Sequence, residues 1–323
     1  MRAVVYDRTG AARDVLRVVD VECPQPGPGE VRVRVAVSGV NPTDVKTRSG
    51  AVPRPIDGFQ IPHQDGVGTI DAIGHGVEQD RLGERVWVWF AAAGQRWGTA
   101  AEWTVVPAHQ AVLLPATVSP ELGASLGVPA MTACHCLFAD GPLHGRTVLV
   151  AGGAGAVGHF AIELARWAGA RVVSTVSRPE QATLATRAGA QQVVNYKNPD
   201  AIDQIRSFAA QIDRVIEVNL GANLPLDLAL AGPGTTVVSY ASSGEDPTLP
   251  ERACMTANLT LRFVLLYGVP AQALQSAVGT ITSALGDGAL SELPVHRFTL
   301  DDIVAAHETV ESGARGKVLI DIG

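Results

Sequence analysis

Apolar residues follow two patterns along this chain, and the change between them divides it. Through the first third the apolar runs are short and rich in valine and isoleucine: VVYD (4–7), VRVRVAVSGV (31–40), GVGTIDAIG (66–74) and RVWVWF (85–90). Glycine and proline punctuate them, as in CPQPGPGE (23–30), which predicts strands joined by irregular loops. In VRVRVAV, Arg32 and Arg34 alternate with valine, the pattern of a strand with one wet face. This part reads as a small β-rich domain with a partly open barrel.

The middle changes character. TVLVAG (147–152) is continuously apolar, as a buried parallel strand is, and a helical pattern with Phe160, Ile162, Leu164 and Trp167 follows it. Strand-like RVVSTV (171–176), helical PEQATLATRAGA (179–190), then QVVNY (192–196), DRVIEVN (213–219) and TTVVSY (235–240) continue the alternation. Strands alternating with helices predict βαβ units and a doubly wound parallel sheet. The fold class is therefore α/β, with a β-rich domain over 1–121 and a dinucleotide-type domain over 122–289. A last segment, 290–323, closes on the strand KVLIDIG.

Composition narrows the function classes. Apolar residues make up 46% of the 323 and charged residues 18%, enough to bury a large core and too little charge for a disordered chain. The net charge of −7 and the lack of a long basic run make no electrostatic case for nucleic acid or anionic lipid. MRAVVYDRTG has charges where a signal peptide needs an apolar stretch, and Thr147 to Ile162 is too short and glycine-broken to span a bilayer. Four cysteines without a CxxC pair fit a reducing compartment, so a cytoplasmic location is expected.

The strongest local signal is AGGAGAVG (151–158), where Gly153, Gly155 and Gly158 satisfy G-x-G-x-x-G between a strand and a helix. Glycines let the backbone turn sharply and approach a pyrophosphate, and the helix start offers free N–H groups to its charge. NAD sites usually place Asp or Glu at the end of the second strand. Here that tip offers Ser177 and Arg178, with no acid until Glu180. A hydroxyl and a guanidinium suit a 2′-phosphate that a carboxylate would repel, so NADPH is the expected cofactor. The alternative for Arg178 is an ordinary solvated charge.

SGVNPTDVKTRSG (38–50), PHQDGVGTIDAIGHGVEQDRLGERVW (62–87), GTAAEWTVVP (98–107), VPAMTACHCL (128–137), VLVAGGAGAVG (148–158), QQVVNYKN (191–198) and GKVLI (316–320) stand in an order that resembles the quinone oxidoreductase (zeta-crystallin) branch of the medium-chain dehydrogenase/reductases. The resemblance spans essentially the whole chain. It implies a GroES-like catalytic domain, a Rossmann domain, a cleft between them, a homodimer, and a C-terminal segment that rejoins the first domain. It also implies that Ala154, Gly155, Ala156 and Val157 wrap the pyrophosphate, and that Ser177, Arg178 and Tyr196 surround the 2′-phosphate. Thr132, Ser239, Tyr240, Ala241 and the backbone near Leu265 are expected beside the nicotinamide half. Lys317 either adds charge near the phosphate or is an ordinary surface lysine.

Zinc relatives in this superfamily use ligand positions that here resemble Asn41, Gln64 and Val128, and the four-cysteine structural lobe is missing. No metal is expected, because zinc needs thiolate, imidazole or carboxylate donors. His63 and Asp65 flank Gln64 and leave a variant site as a minor alternative. Where many relatives carry a tyrosine, Lys46 stands, either orienting a carbonyl or pairing with Asp44. Without zinc a quinone or an α,β-unsaturated carbonyl is the expected hydride acceptor, since conjugation spreads the incoming charge. Asn41 and Gln64 are expected to line the pocket, and Asp44 to organise the Asn41–Pro42 turn or to relay a proton. Arg96 and Trp97 are candidates for a substrate loop. Cys134, His135 and Cys136 read as packing residues, and His159 and His307 as surface or packing residues. An enoyl or enone reductase is the alternative within enzymes; a non-catalytic NADPH-binding protein is the alternative outside them.

Overall fold

The structure, a computed structural model, describes residues 1–242, 244 and 246–323. Its strands run in chain order as β1 (Arg2–Val5), β2 (Arg17–Asp20), β3 (Glu30–Val40), β4 (Asp65–Ile73), β5 (Arg85–Val88), β6 (Trp103–Pro107), β7 (Ala111–Leu113), β8 (Thr147–Ala151), β9 (Arg171–Val176), β10 (Gln192–Asn195), β11 (Ile212–Glu217), β12 (Ala231–Ser239), β13 (Thr260–Phe263), β14 (Val295–Thr299) and β15 (Lys317–Asp321). They fall into two compact units, one of residues 1–128 with 292–323 and one of residues 129–291.

The first unit is built on the sheet β14-β15-β3-β4-β5-β7, with β6 added along β3. β3 carries the predicted alternation: Val31, Val33, Val35 and Val37 are buried, while Arg32 reaches out to Asp71 at 2.9 Å. From Ser38 to Val40 every residue is buried. That end of β3 pairs with β15 on one side, Val40 opposite Val318, and with β4 on the other, Gly39 opposite Asp65. The C-terminal strand therefore lies inside the N-terminal sheet. The unit's first core packs Val4, Tyr6, Val15, Ile61, Ile303 and Ile320 together. The second packs Val31, Val33, Ile70, Val86 and Val106.

The N-terminal part of this unit ends at Val128. Ser119 caps the short helix Pro120–Gly123, and Val128 donates its N–H to Asp65 in β4 at 2.9 Å. At Gly127 a β-carbon would lie 2.1 Å from Asp65 Oδ1, so only glycine lets the backbone come this close. This approach fixes the exit point.

The second unit is a parallel sheet of order β10-β9-β8-β11-β12-β13. Its first strand, β8, sits centrally between β9 and β11, so the strand order reverses there. Leu149, Val173, Val194, Val215 and Val237 stack through the sheet into one core. Helix Ala156–Trp167 follows β8, with Phe160 to Ala165 buried, and Pro179–Arg187 follows β9. This is the α/β, Rossmann-type arrangement that the alternating pattern predicts; the first unit's GroES-like sheet is mostly antiparallel.

Candidate active site and dinucleotide site

In the second unit the glycine motif occupies the turn from β8 into helix Ala156–Trp167, at the carboxyl edge of the sheet. Gly155 is the helix N-cap, and a β-carbon on Gly158 would lie 2.4 Å from Gly152 O. The first helical turn can approach β8 only because that side chain is missing. Ala156 and Val157 are half-buried at the helix start, where backbone N–H groups lack helical partners. An NAD(P)H pyrophosphate fits this donor set, and the family of folds that carries the turn is a dinucleotide-binding one. Gly153 and Ala154 are buried in the turn itself.

The tip of β9 holds Ser177, half-buried, and Arg178, exposed as the N-cap of the next helix. Ser177 donates both its N–H and its hydroxyl to Gln181 Oε1, at 2.9 and 3.0 Å. Tyr196 is exposed beyond β10, its N–H bonded to Val176 O at the end of β9, so it stands beside the same tip. Ser239 ends β12, Tyr240 bonds Glu217 O, and Val264 beside Leu265 bonds Ser239 O. Thr132 is buried in the helix Met131–Phe138. Cys134 and Cys136 are buried in that helix, and burial pushes both thiols up to about 12, the behaviour of packing residues.

Sequence reading did not find the acid pair of this unit. Glu217, the last residue of β11, and Asp227, in helix Leu220–Leu230, are fully buried. Glu217 Oε1 accepts from the Asn219 N–H and from Asn223 Nδ2. Glu217 Oε2 and both oxygens of Asp227 have no partner among the described residues. Burial and then the Glu217 charge push Asp227 up to about 8.

In the first unit a pocket is lined by Tyr6, Asp44, Thr47, Arg54, His63 and Gln64, with other residues. Gln64 and Asp44 stand in its wall. Gln64 Oε1 is buried and makes no hydrogen bond among the described residues. His63, which precedes it, holds the left-handed φ of 78°, a conformation that costs a non-glycine residue roughly 1–3 kcal/mol. Asp44 Oδ2 accepts the Asn41 N–H at 2.7 Å and so closes the first turn of helix Pro42–Ser49. Burial, then the charge of Asp65, pushes the Asp44 carboxyl up to about 7.

Three placements correct the sequence reading. Asn41 is not in the pocket wall: its Nδ2 donates to Asp65 Oδ2 at 2.7 Å and its Oδ1 accepts from Lys317 at 2.7 Å. Lys317 is neither a surface lysine nor a free charge for a phosphate; it is buried, and its ammonium also meets Asp65 at 3.1 Å. It enters the interior because it opens β15 beside β3. Lys46 is exposed on the outer face of its helix and forms no ion pair with Asp44 among the described residues. Of the proposed loop, Trp97 packs against the first core and Phe59, while Arg96 pairs with Asp57. His159 and His307 are buried, the first beside Glu163 and the second against His63.

Zinc does not fit the first unit. The positions resembling its ligands offer an amide already holding an ammonium (Asn41), a glutamine and a valine. His63 has both ring nitrogens hydrogen-bonded, to Ser38 and to His307. No group of three His, Cys, Asp or Glu residues suited to a metal occurs among the described residues. Nor is any helix long and apolar enough to cross a membrane among the described residues.

Comparison with known proteins places these sites in a family. The alcohol dehydrogenase GroES-like domain model matches residues 27–116, and the zinc-binding dehydrogenase model matches residues 156–283. Quinone oxidoreductase of Lama guanicoe is 30% identical over 325 residues, covering 99% of this chain and 97% of that protein. A solved NAD-dependent alcohol dehydrogenase superposes with a TM-score of 0.91 at 26% identity, over 100% of both chains. A mycobacterial structure complexed with NADPH does so with a TM-score of 0.85 at 27% identity, again over 100% of both. The chain is an oxidoreductase, and it belongs to the quinone oxidoreductase-like family of the medium-chain dehydrogenase/reductases.

Proposed function

We propose that the protein transfers hydride from NADPH to a quinone or an α,β-unsaturated carbonyl without a metal. One observation carries this reading: at the positions resembling the zinc ligands, Asn41 is held by Asp65 and Lys317 and Val128 offers no side-chain donor, while Gln64 stands with Asp44 and Tyr6 in the wall of a pocket with its amide oxygen unpartnered among the described residues. When bound, the nicotinamide supplies the hydride and its two electrons. The protein's residues do the rest. The Gly153–Gly158 turn takes the pyrophosphate, and Ser177, Arg178 and Tyr196 take the 2′-phosphate. Thr132, Ser239, Tyr240, Ala241 and the backbone at Leu265 receive the nicotinamide half. Gln64 orients the acceptor oxygen, and Asp44 faces the same pocket. A conjugated acceptor suits such a site, because hydrogen bonds suffice where charge is delocalised.

The relatives support the acceptor class, since the curated matches include quinone oxidoreductases, and a solved neighbour holds NADPH. The similarity to an NAD-dependent enzyme makes cofactor choice the point to test. We also infer a homodimer formed through β13, the edge strand of the second sheet, where Phe263 and Leu265 are 68% and 67% exposed.

The deciding experiment is oxidation of NADPH by a panel of quinones and enones, repeated with NADH and with a chelator. Turnover with NADPH, weak turnover with NADH and no chelator effect is the expected result, and the preferred acceptor separates a quinone reductase from an enone reductase. Equal use of NADH would overturn the cofactor reading. Loss of activity to the chelator would overturn the metal-free one.

A further inference from the structure

Asn41 joins two carboxyls and one ammonium into a single buried cluster. Its backbone N–H goes to Asp44 Oδ2, its Nδ2 to Asp65 Oδ2, and its Oδ1 accepts from Lys317 Nζ, each at 2.7 Å. Lys317 Nζ reaches Asp65 Oδ2 as well, and Val128 donates its N–H to Asp65 Oδ1 at 2.9 Å. Asn41, Asp44, Asp65 and Lys317 are each at most 4% exposed.

Counting charge places one proton here. With both carboxyls ionised the cluster carries a net negative charge away from water, which is costly; one bound proton makes it neutral. The hydrogen bonds decide where that proton sits. Both oxygens of Asp65 are committed, one to a backbone N–H and the other to an amide and an ammonium, and all three favour its charged form. Asp44 accepts the Asn41 backbone N–H and faces the negative Asp65. The proton therefore belongs to Asp44, in keeping with a carboxyl that burial and Asp65 raise to about 7.

The other groups facing Asp44 do not change this assignment. Tyr6, from the end of β1, is pushed up to about 12 by burial, and His63 is held well below its ordinary value, so both are neutral near pH 7. Arg48, on the same helix, is bound to Glu311 and to Gly10 O. Arg54 and Lys317 favour the ionised form and oppose Asp65.

We propose that Asp44 is the acid that protonates the reduced acceptor, and that Asp65 and Lys317 are positioning residues that set its hold on the proton. This rests on the hydride-transfer reading above. Hydride from NADPH leaves the conjugated acceptor with an anionic oxygen. The Asp44 O–H bond breaks as the acceptor O–H bond forms, and the resulting carboxylate regains a proton from solvent through the pocket. The two electrons arrive with the hydride, so no further reductant is needed.

The test is the pH dependence of kcat/KM with a quinone, beside a carbon-13 NMR titration of the Asp44 carboxyl without acceptor. The wild type should titrate near neutrality in both. Lys317→Met, which leaves Asp65 uncompensated, should move the Asp44 titration to higher pH by roughly a unit, and Asp65→Asn should move it lower. A structural role alone would not give opposite displacements. Because either single change leaves one buried charge unpaired, the double variant Asp65→Asn, Lys317→Met is the safeguard; it removes the stronger influence of Asp65 and should titrate below the wild type. Asp44→Asn should lower kcat by roughly 10²–10⁴-fold and remove the alkaline limb. An Asp44 that titrates in the ordinary carboxylate range, or variants that shift together or not at all, overturns the proposal. Titration as expected with no turnover of any acceptor overturns the acceptor reading, and the acid role with it, and leaves the proton assignment standing.

Discussion

Nε2 of His307 lies 3.0 Å from Nε2 of His63, and only one of the two nitrogens carries a proton. The neighbours settle which. Thr99 gives its hydroxyl proton to Asp65 O at 2.6 Å, so Ser38, 2.7 Å from Thr99, must be the donor between those hydroxyls. Ser38 then has no proton left for His63, and the 2.8 Å contact to Nδ1 is a donation from the ring. His63 is the Nδ1–H tautomer, and His307 must give its Nε2 proton to it. The chain runs one way, from His307 through His63, Ser38 and Thr99 to the backbone of Asp65. His307 Nδ1 is left as an acceptor without a partner among the described residues.

This pair makes the fold acid-labile. Burial holds His307 down to about 3 and His63 well below its ordinary value. In each case the folded value lies under the unfolded one, so the contribution is full above about pH 6.5 and is lost as pH falls towards the folded values. Urea unfolding between pH 7 and 4 should show stability falling by up to about 1.4 kcal/mol per pH unit for each histidine. His307→Phe should flatten that slope. An unchanged slope would show that His307 binds its proton alike in the folded and unfolded chain, against the burial effect.

The opposite sign holds at Asp227. Its folded value, about 8, lies above the ordinary carboxylate value, so its favourable contribution is complete below about pH 4 and lost as pH rises through 8. Asp227→Asn keeps the shape and removes the second negative charge beside Glu217. It should raise stability at pH 9 by about 1–3 kcal/mol and do little at pH 5. Equal effects at both pH values would refute the shared burial of charge.

At the nucleotide turn, Gly158→Ala forces a methyl against Gly152 O. Isothermal titration should show NADPH affinity falling by about tenfold or more, with the circular dichroism spectrum retained. Arg178→Glu should weaken NADPH by a similar factor and leave NADH nearly unchanged. If both cofactors weaken together, Arg178 does not read the 2′-phosphate.

Phe263→Asp puts a charge on the exposed edge of β13. Sedimentation should find the wild type dimeric and the variant monomeric, with the monomer still binding NADPH. A wild type that is monomeric at tens of micromolar would exclude β13 as an interface.

Much of the architecture could be read from periodicity, because buried parallel strands such as β8 and half-wet strands such as β3 carry different patterns. The glycine turn was equally legible, its spacing being imposed by backbone contact at Gly158. The buried charge cluster was not. Lys317 stands in a run, KVLIDIG, that looks like any strand opening, and Asn41 resembles a pocket residue until its partners are known. What fixes both is the pairing of β15 with β3, a contact across 276 residues that no local pattern encodes. Lys46 shows the converse: its neighbour Asp44 points inward, while helix geometry turns Lys46 out.

That pairing also has a consequence for how the protein is made. Asn41 and Asp65 leave the ribosome long before Lys317, and residues 129–291, a complete compact unit, are synthesised in between. A nascent chain can therefore fold its dinucleotide unit while the earlier one still lacks the strand beside β3 and the cation for Asp65. The order of emergence gives the second unit first claim on native structure, and the acid-bearing pocket is finished only when β15 arrives.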